Sequence, residues 1–135
     1  MASGKSSYLE NAVLKHVFGI ASFTAPANLY FAIYKGDPEA SGTEVSGGSY
    51  ARVSVASGSG QWSASANVVT NINDITFPTA TADWATTGTP ATHIAVFDAS
   101  SGGNMLFSAP LIVPVAILNG NTFKISAGQA IFTED

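Results

Sequence analysis

The chain has 135 residues, no cysteine and a formal net charge of −4, which favours one domain with a single core and removes both a disulfide framework and a cysteine-based metal site. Charged residues make up 10% of it, against roughly 25% in ordinary soluble proteins, so the surface falls largely to Ser, Thr, Asn, Gly and Ala. The acidic balance gives no basic footprint for nucleic acid, and so few charges leave little repulsion between copies, which suits a subunit of an assembly better than a monomeric enzyme.

The N-terminus lacks an apolar stretch of the secretory type, and the longest apolar run, Leu111 to Leu118, is too short to span a bilayer and contains Pro114. No membrane insertion is expected. Residues 1–6 read as a short arm. Ser7 and Glu10 then have capping-box spacing, and Leu9, Ala12, Val13, His16 and Val17 recur at three and four residues. The pattern predicts an amphipathic helix over 7–18, stopped by Gly19 and lying against a sheet. On that expectation Val13→Asp buries an unpaired charge and unfolds the domain.

Beyond the helix the period changes to two. Leu29, Phe31 and Ile33 share one face of a strand over 28–34, and Tyr30, Ala32 and Tyr34 share the other. Lys35-Gly36-Asp37-Pro38 closes it with turn residues. Further strands are predicted over 50–55, 68–77, 111–118, 122–126 and 129–133. Trp62 falls in a polar loop over 57–66, and Trp84 in one over 79–90. Thr92 to Ser108 is the centre of the pattern, two apolar arms around Ala-Ser-Ser-Gly-Gly-Asn. Its first arm is apolar on both faces, as a strand covered on each side is. Asn119-Gly120 is a strong short hairpin signal. The whole predicts a single, mainly β domain over 1–135. It is an antiparallel β-sandwich, jelly-roll or Ig-like, of seven to eight strands with one N-terminal amphipathic helix.

Catalytic motifs fail on context. Gly4-Lys5-Ser6 matches the end of a phosphate-binding loop but lacks its first glycine and preceding strand. His16 and His93 are the only histidines and lack the partners that a zinc or catalytic site needs. Gly47-Gly48-Ser49 is followed by strand rather than helix, unlike a nucleophile elbow. Asp37, Glu39 and Glu44 share a loop without calcium-loop spacing, and Asp74, Asp83 and Asp98 sit at turn positions. No catalytic residue, cofactor or metal is expected. Trp62, Trp84 and Tyr50 are the candidates for contact with a neighbouring subunit or a host sugar; for the two tryptophans, folding back on the edge of their own domain is an equal alternative.

Several segments carry a family likeness. They are Tyr8-Leu9-Glu10-Asn11; Pro26 with Leu29 to Tyr34 and Asp37-Pro38; Gly42 to Arg52; Ile75 to Ala80; and Thr92 to Asp98 with Gly102-Gly103-Asn104. Together they resemble short tailed-bacteriophage and prophage virion proteins, often labelled tail fibre or minor tail protein. The Glu44–Arg52 stretch is the most specific part, and Arg52 is placed to pair with Glu44. The 57–66 and 86–90 segments look longer than the family's usual spacing. The resemblance implies a non-enzymatic virion structural protein, tail-associated and self-assembling, built in the host cytoplasm. Its expected partners are other virion proteins and further copies of itself. Two alternatives stand beside it: a capsid decoration protein bound to the major capsid protein, and a carbohydrate-binding module for a host surface glycan.

Overall fold

The computed structural model describes residues 2–134, with side chains from residue 4 onward. In chain order the elements are β1 (Ala2–Lys5), α1 (Ser7–Val17), β2 (Asn28–Lys35), β3 (Thr43–Glu44), β4 (Val53–Ala56) and β5 (Trp62–Ser65). There follow β6 (Val68–Asn71), β7 (Ile75–Thr76), β8 (Ala91–Phe97), β9 (Met105–Val115), β10 (Lys124–Ile125) and β11 (Ile131–Thr133). The fold is mainly β, with one helix among the described residues.

β8 lies between β2 and β9 and runs antiparallel to both, with Phe31 opposite Val96 and Val96 opposite Phe107. The pleat sends alternate side chains to opposite faces. Phe31, Ile33, Ile94 and Val96 therefore enter the main core, while Ala32, Ala95 and Phe97 are buried on the other face with Tyr30, Tyr34 and Met105. This double burial is what the two-sided apolar pattern of the hairpin arm implied.

The hydrogen-bonded strands run in the order β3-β2-β8-β9-β1-β11-β6-β5, with β4 on the free part of β2. β1 joins the two wings. Gly4 and Lys5 pair antiparallel with β9, whereas Ala2 and Ser3 pair parallel with β11. The wings close face to face through aromatic rings: Phe31 stacks on Trp62 at 6.0 Å, and Phe132 meets Phe107 edge-on at 5.0 Å. A second small sheet pairs β7 with β10.

Several expectations need correction. The segment read as an arm includes β1, an internal strand. The helix N-cap is Ser6, not Ser7. Ser6 N–H donates to the Leu106 carbonyl at 2.8 Å, and its hydroxyl accepts from Leu9 N–H at 3.1 Å while donating to the Met105 carbonyl. Ser6 is thus pinned to β9 and fixes where the helix starts. The helix does not cover a sheet. It touches β9 and β1 at one end of the sandwich, and within it only Leu9 is buried.

Trp62 opens strand β5 rather than sitting in a loop. The β5–β6 turn places Ala66 at φ 53°, and alanine at a left-handed turn position gives no sequence signal. Asn119-Gly120 does form a turn, but its flanks do not pair with each other: Ile117 bridges Ala85, and β10 pairs β7. The turn is held from outside, by Asp83 on Asn119 N–H (2.8 Å) and the Ala80 carbonyl on Gly120 N–H (2.7 Å). Pro114 lies where β9 bulges, between the His93–Pro110 and Ala91–Val115 pairings.

Candidate functional site

The most developed polar arrangement joins Glu44, Tyr50 and Arg52. Glu44 ends β3, and the loop from Val45 to Arg52 returns beside it. Gly47, Gly48 and Ser49 all have positive φ, and a Cβ at Gly48 would meet Ala82 N at 2.8 Å, so the turn requires glycine there. Arg52 donates from Nε and Nη2 to the two Glu44 oxygens, each at 2.9 Å. This two-pronged geometry is the strong form of the pair. Arg52 Nη1 donates to the carbonyls of Ala99 and Gly102, again at 2.9 Å. The guanidinium carbon lies 3.7 Å from the centroid of the Phe97 ring. One side chain therefore ties the 45–52 loop to the tip of the central hairpin.

Tyr50 completes the node. Its hydroxyl donates to Glu44 Oε2 at 2.6 Å and accepts from Ile33 N–H at 3.2 Å. Burial alone would raise the Glu44 carboxyl, but the hydrogen bonds from Arg52 and Tyr50, with the guanidinium charge, outweigh it and hold the group below its ordinary value. Burial, then the bond to that carboxylate, pushes the Tyr50 phenol upward. The bond to Glu44 raises Arg52 against the effect of burial. Every donor in this arrangement is aimed at a group of the same domain, which makes it a structural clamp.

The three aromatic candidates divide. Trp84 is 2% exposed, and its indole N–H donates to the Gly48 carbonyl at 2.9 Å. Tyr50 is held edge-on to Trp84 at 5.2 Å and stacked near Phe77 at 6.4 Å. Trp84 thus folds back on its own domain and is buried there, whereas Tyr50 packs half-buried against the core with its hydroxyl held by Glu44. Their loops are polar, yet they fold onto each other, the Gly48 carbonyl also accepting from Thr81 N–H at 2.9 Å. Trp62, half-buried like Tyr50, keeps an accessible edge. With Leu29, Val69, Phe107 and Phe132 it lines an open cleft of about 270 Å³. Its indole N–H donates to Ala56 O, and Ser57 Oγ donates to Pro26 O, so the cleft's polar groups are already engaged.

Several of the remaining candidates are also engaged in hydrogen bonds within the domain. His16 Nδ1 accepts from Phe23 N–H at 3.1 Å, and His93 Nδ1 lies 2.9 Å from Thr92 Oγ1. Asp37, Asp74 and Asp98 accept from the backbone N–H of Glu39, Ala127 and Asn104 respectively. Among the described residues no three His, Cys, Asp or Glu side chains converge as a metal site. No described helix is long and apolar enough to cross a membrane.

Sequence reasoning missed a different feature. Val13, Leu14, Val17, Phe18 and Ile20 are exposed. So are Ile112 and Val113 on the β9 bulge, at 84% and 69%. The signal was available for the helix, because Leu14 and Phe18 extend its apolar residues well beyond the single stripe.

The fold and its polar groups thus define a small β-sandwich whose identifiable side chains serve structure, with apolar residues left on the outside. A family model described as podophage GP4 fiber I protein gp80 matches residues 4–133. The chain belongs to this phage fibre-protein family. A search of curated proteins found no match.

Proposed function

We propose that this chain is a non-enzymatic structural protein of a phage virion, mounted on the tail as a fibre-type component and self-assembling there. The observation that carries the reading is the family match across residues 4–133. Two features support it. Charge is sparse, so copies repel each other little. The best-formed polar site, at Glu44, Tyr50 and Arg52, is closed on itself rather than open to a substrate. On this reading the chain is assembled in the host cytoplasm, and its partners are other tail proteins and further copies of itself.

The test is fractionation of purified particles into tails and tail-free heads, with detection of the polypeptide in each. The reading requires it in the tail fraction. Retention on isolated heads would instead make it a capsid decoration protein, and absence from both would remove it from the virion. The carbohydrate-binding alternative now depends chiefly on Trp62, because Trp84 is buried and the Tyr50 hydroxyl is engaged with Glu44. Glycan binding lost in Trp62→Ala would favour it, and no binding at high sugar concentration would dismiss it. Hydrolysis of a host surface polymer by the purified protein would overturn the non-enzymatic reading.

A further inference from the structure

We infer that the outer face of α1 is a self-association surface, which pairs with the same face of a second copy of this chain. The inference rests on the self-assembling, fibre-type reading above and names the surface responsible. A helix on the outside of a domain ordinarily turns its polar side to water. In α1 Leu9 is buried, yet Val13, Leu14 and Val17 are 36%, 58% and 70% exposed, and the C-cap Phe18 and Ile20 just beyond are each 75% exposed. At 3.6 residues per turn Val13, Leu14, Val17 and Phe18 fall within an arc of about 140°, interrupted by Glu10 and Ser7 of the first turn.

This face is held in place. Gly19, at φ 70°, donates to the His16 carbonyl at 3.2 Å, and Ile20 N–H donates to the Lys15 carbonyl at 2.8 Å. That is the paired arrangement that closes a helix C-terminus. His16 then takes the Phe23 N–H. Phe18 and Ile20 are therefore fixed outward by a completed cap, not by fraying.

The area fits one side of a stable interface. Those five residues present on the order of 500 Å² of mainly apolar surface, taking roughly 150–200 Å² for each side chain when fully open. A standard interface buries about 800 Å² per partner, of which about 56–65% is apolar, or roughly 450–520 Å². A second copy brings the same area and the same convex ridge, and two such ridges interlock as helices do. An isologous pair needs no other surface on either chain.

The absence of cysteine makes the test direct. Val17→Cys in the full chain is treated with a short thiol–thiol cross-linker, beside Thr87→Cys in an exposed loop as control. The expected result is a covalent dimer from Val17→Cys and little from the control. Leu14→Glu with Val17→Lys should weaken association by about tenfold or more, measured by sedimentation, with an unchanged circular-dichroism melt. Cross-linking of Val17→Cys no greater than the control would overturn the inference. So would preferential linkage of the Val17→Cys chain to an Ile112→Cys chain in a mixed sample, which would dock the helix on the β9 bulge of the next copy. A chain present on tails whose Val17→Cys variant gives no covalent dimer rejects this surface and leaves the virion reading standing. A covalent Val17→Cys dimer from a chain absent from particles does the reverse.

Discussion

Arg52 and Phe18 sit in opposite circumstances within one small domain. Arg52 carries a full charge, yet its side chain is only 7% exposed, because a carboxylate, two carbonyls and an aromatic face receive it. Phe18 carries none, yet 75% of it faces water. Burying a charge is costly unless it is paired, and exposing a large apolar side chain forgoes its burial energy. The first cost has been met inside the domain, by the residues around Arg52. The second has not been met within the domain, which is the ground for the self-association surface inferred above. The clamp is where the domain is closed, and the helix is where it is open.

Substitutions should separate the two regions by size of effect. Trp84→Ala, in the loop that the clamp's turn rests on, removes a fully buried ring and one of the two donors to the Gly48 carbonyl. It should cost about 3–5 kcal/mol of stability, read by denaturant unfolding. Arg52→Ala leaves the Glu44 carboxylate without its partner and frees the Ala99–Gly102 tip. Because the pair is partly accessible, the loss should be about 2–3 kcal/mol, below that for a fully buried pair.

The clamp also sets a pH window. The folded Glu44 carboxyl lies below its ordinary value of 4.5, so its contribution is complete above that value and drains as pH falls through the folded one. The folded Tyr50 phenol lies above its ordinary 10.0, so its contribution is complete below that value and is lost as pH rises beyond it. Thermal melts should show a plateau between these limits, and Glu44→Gln should remove the acid limb. The smallest effect on stability belongs to the helix. Val13→Asp, expected from its sequence pattern to unfold the domain, should cost about 1 kcal/mol or less, because Val13 lies at the surface. Its consequence should appear in association instead.

The same contrast explains what the sequence could reveal. The strand pattern of β2 and β8 was legible because alternation of Leu29, Phe31 and Ile33 with Tyr30, Ala32 and Tyr34 reflects the pleat itself. The Glu44–Arg52 pair was legible because the two residues are only eight apart, on either side of a glycine turn. The rest of the clamp was not, since Ala99 and Gly102 are 47 and 50 residues from Arg52, and only the folded hairpin brings them near. The tryptophans left contact and folding back both open, because a polar loop ordinarily lies outside. Here the 79–90 segment tucks Trp84 inward, and α1 buries only Leu9. Helical spacing gives a helix its faces, but the tertiary fold decides which of them meets protein.

The most direct measurement is a cryo-electron microscopy reconstruction of the intact particle that encodes this chain. The expected result is density for the sandwich on the tail, with α1 at a contact between copies and the Arg52 clamp inside each one. Density on the head lattice, no density for the chain, or a tail-bound copy with α1 facing solvent would contradict it.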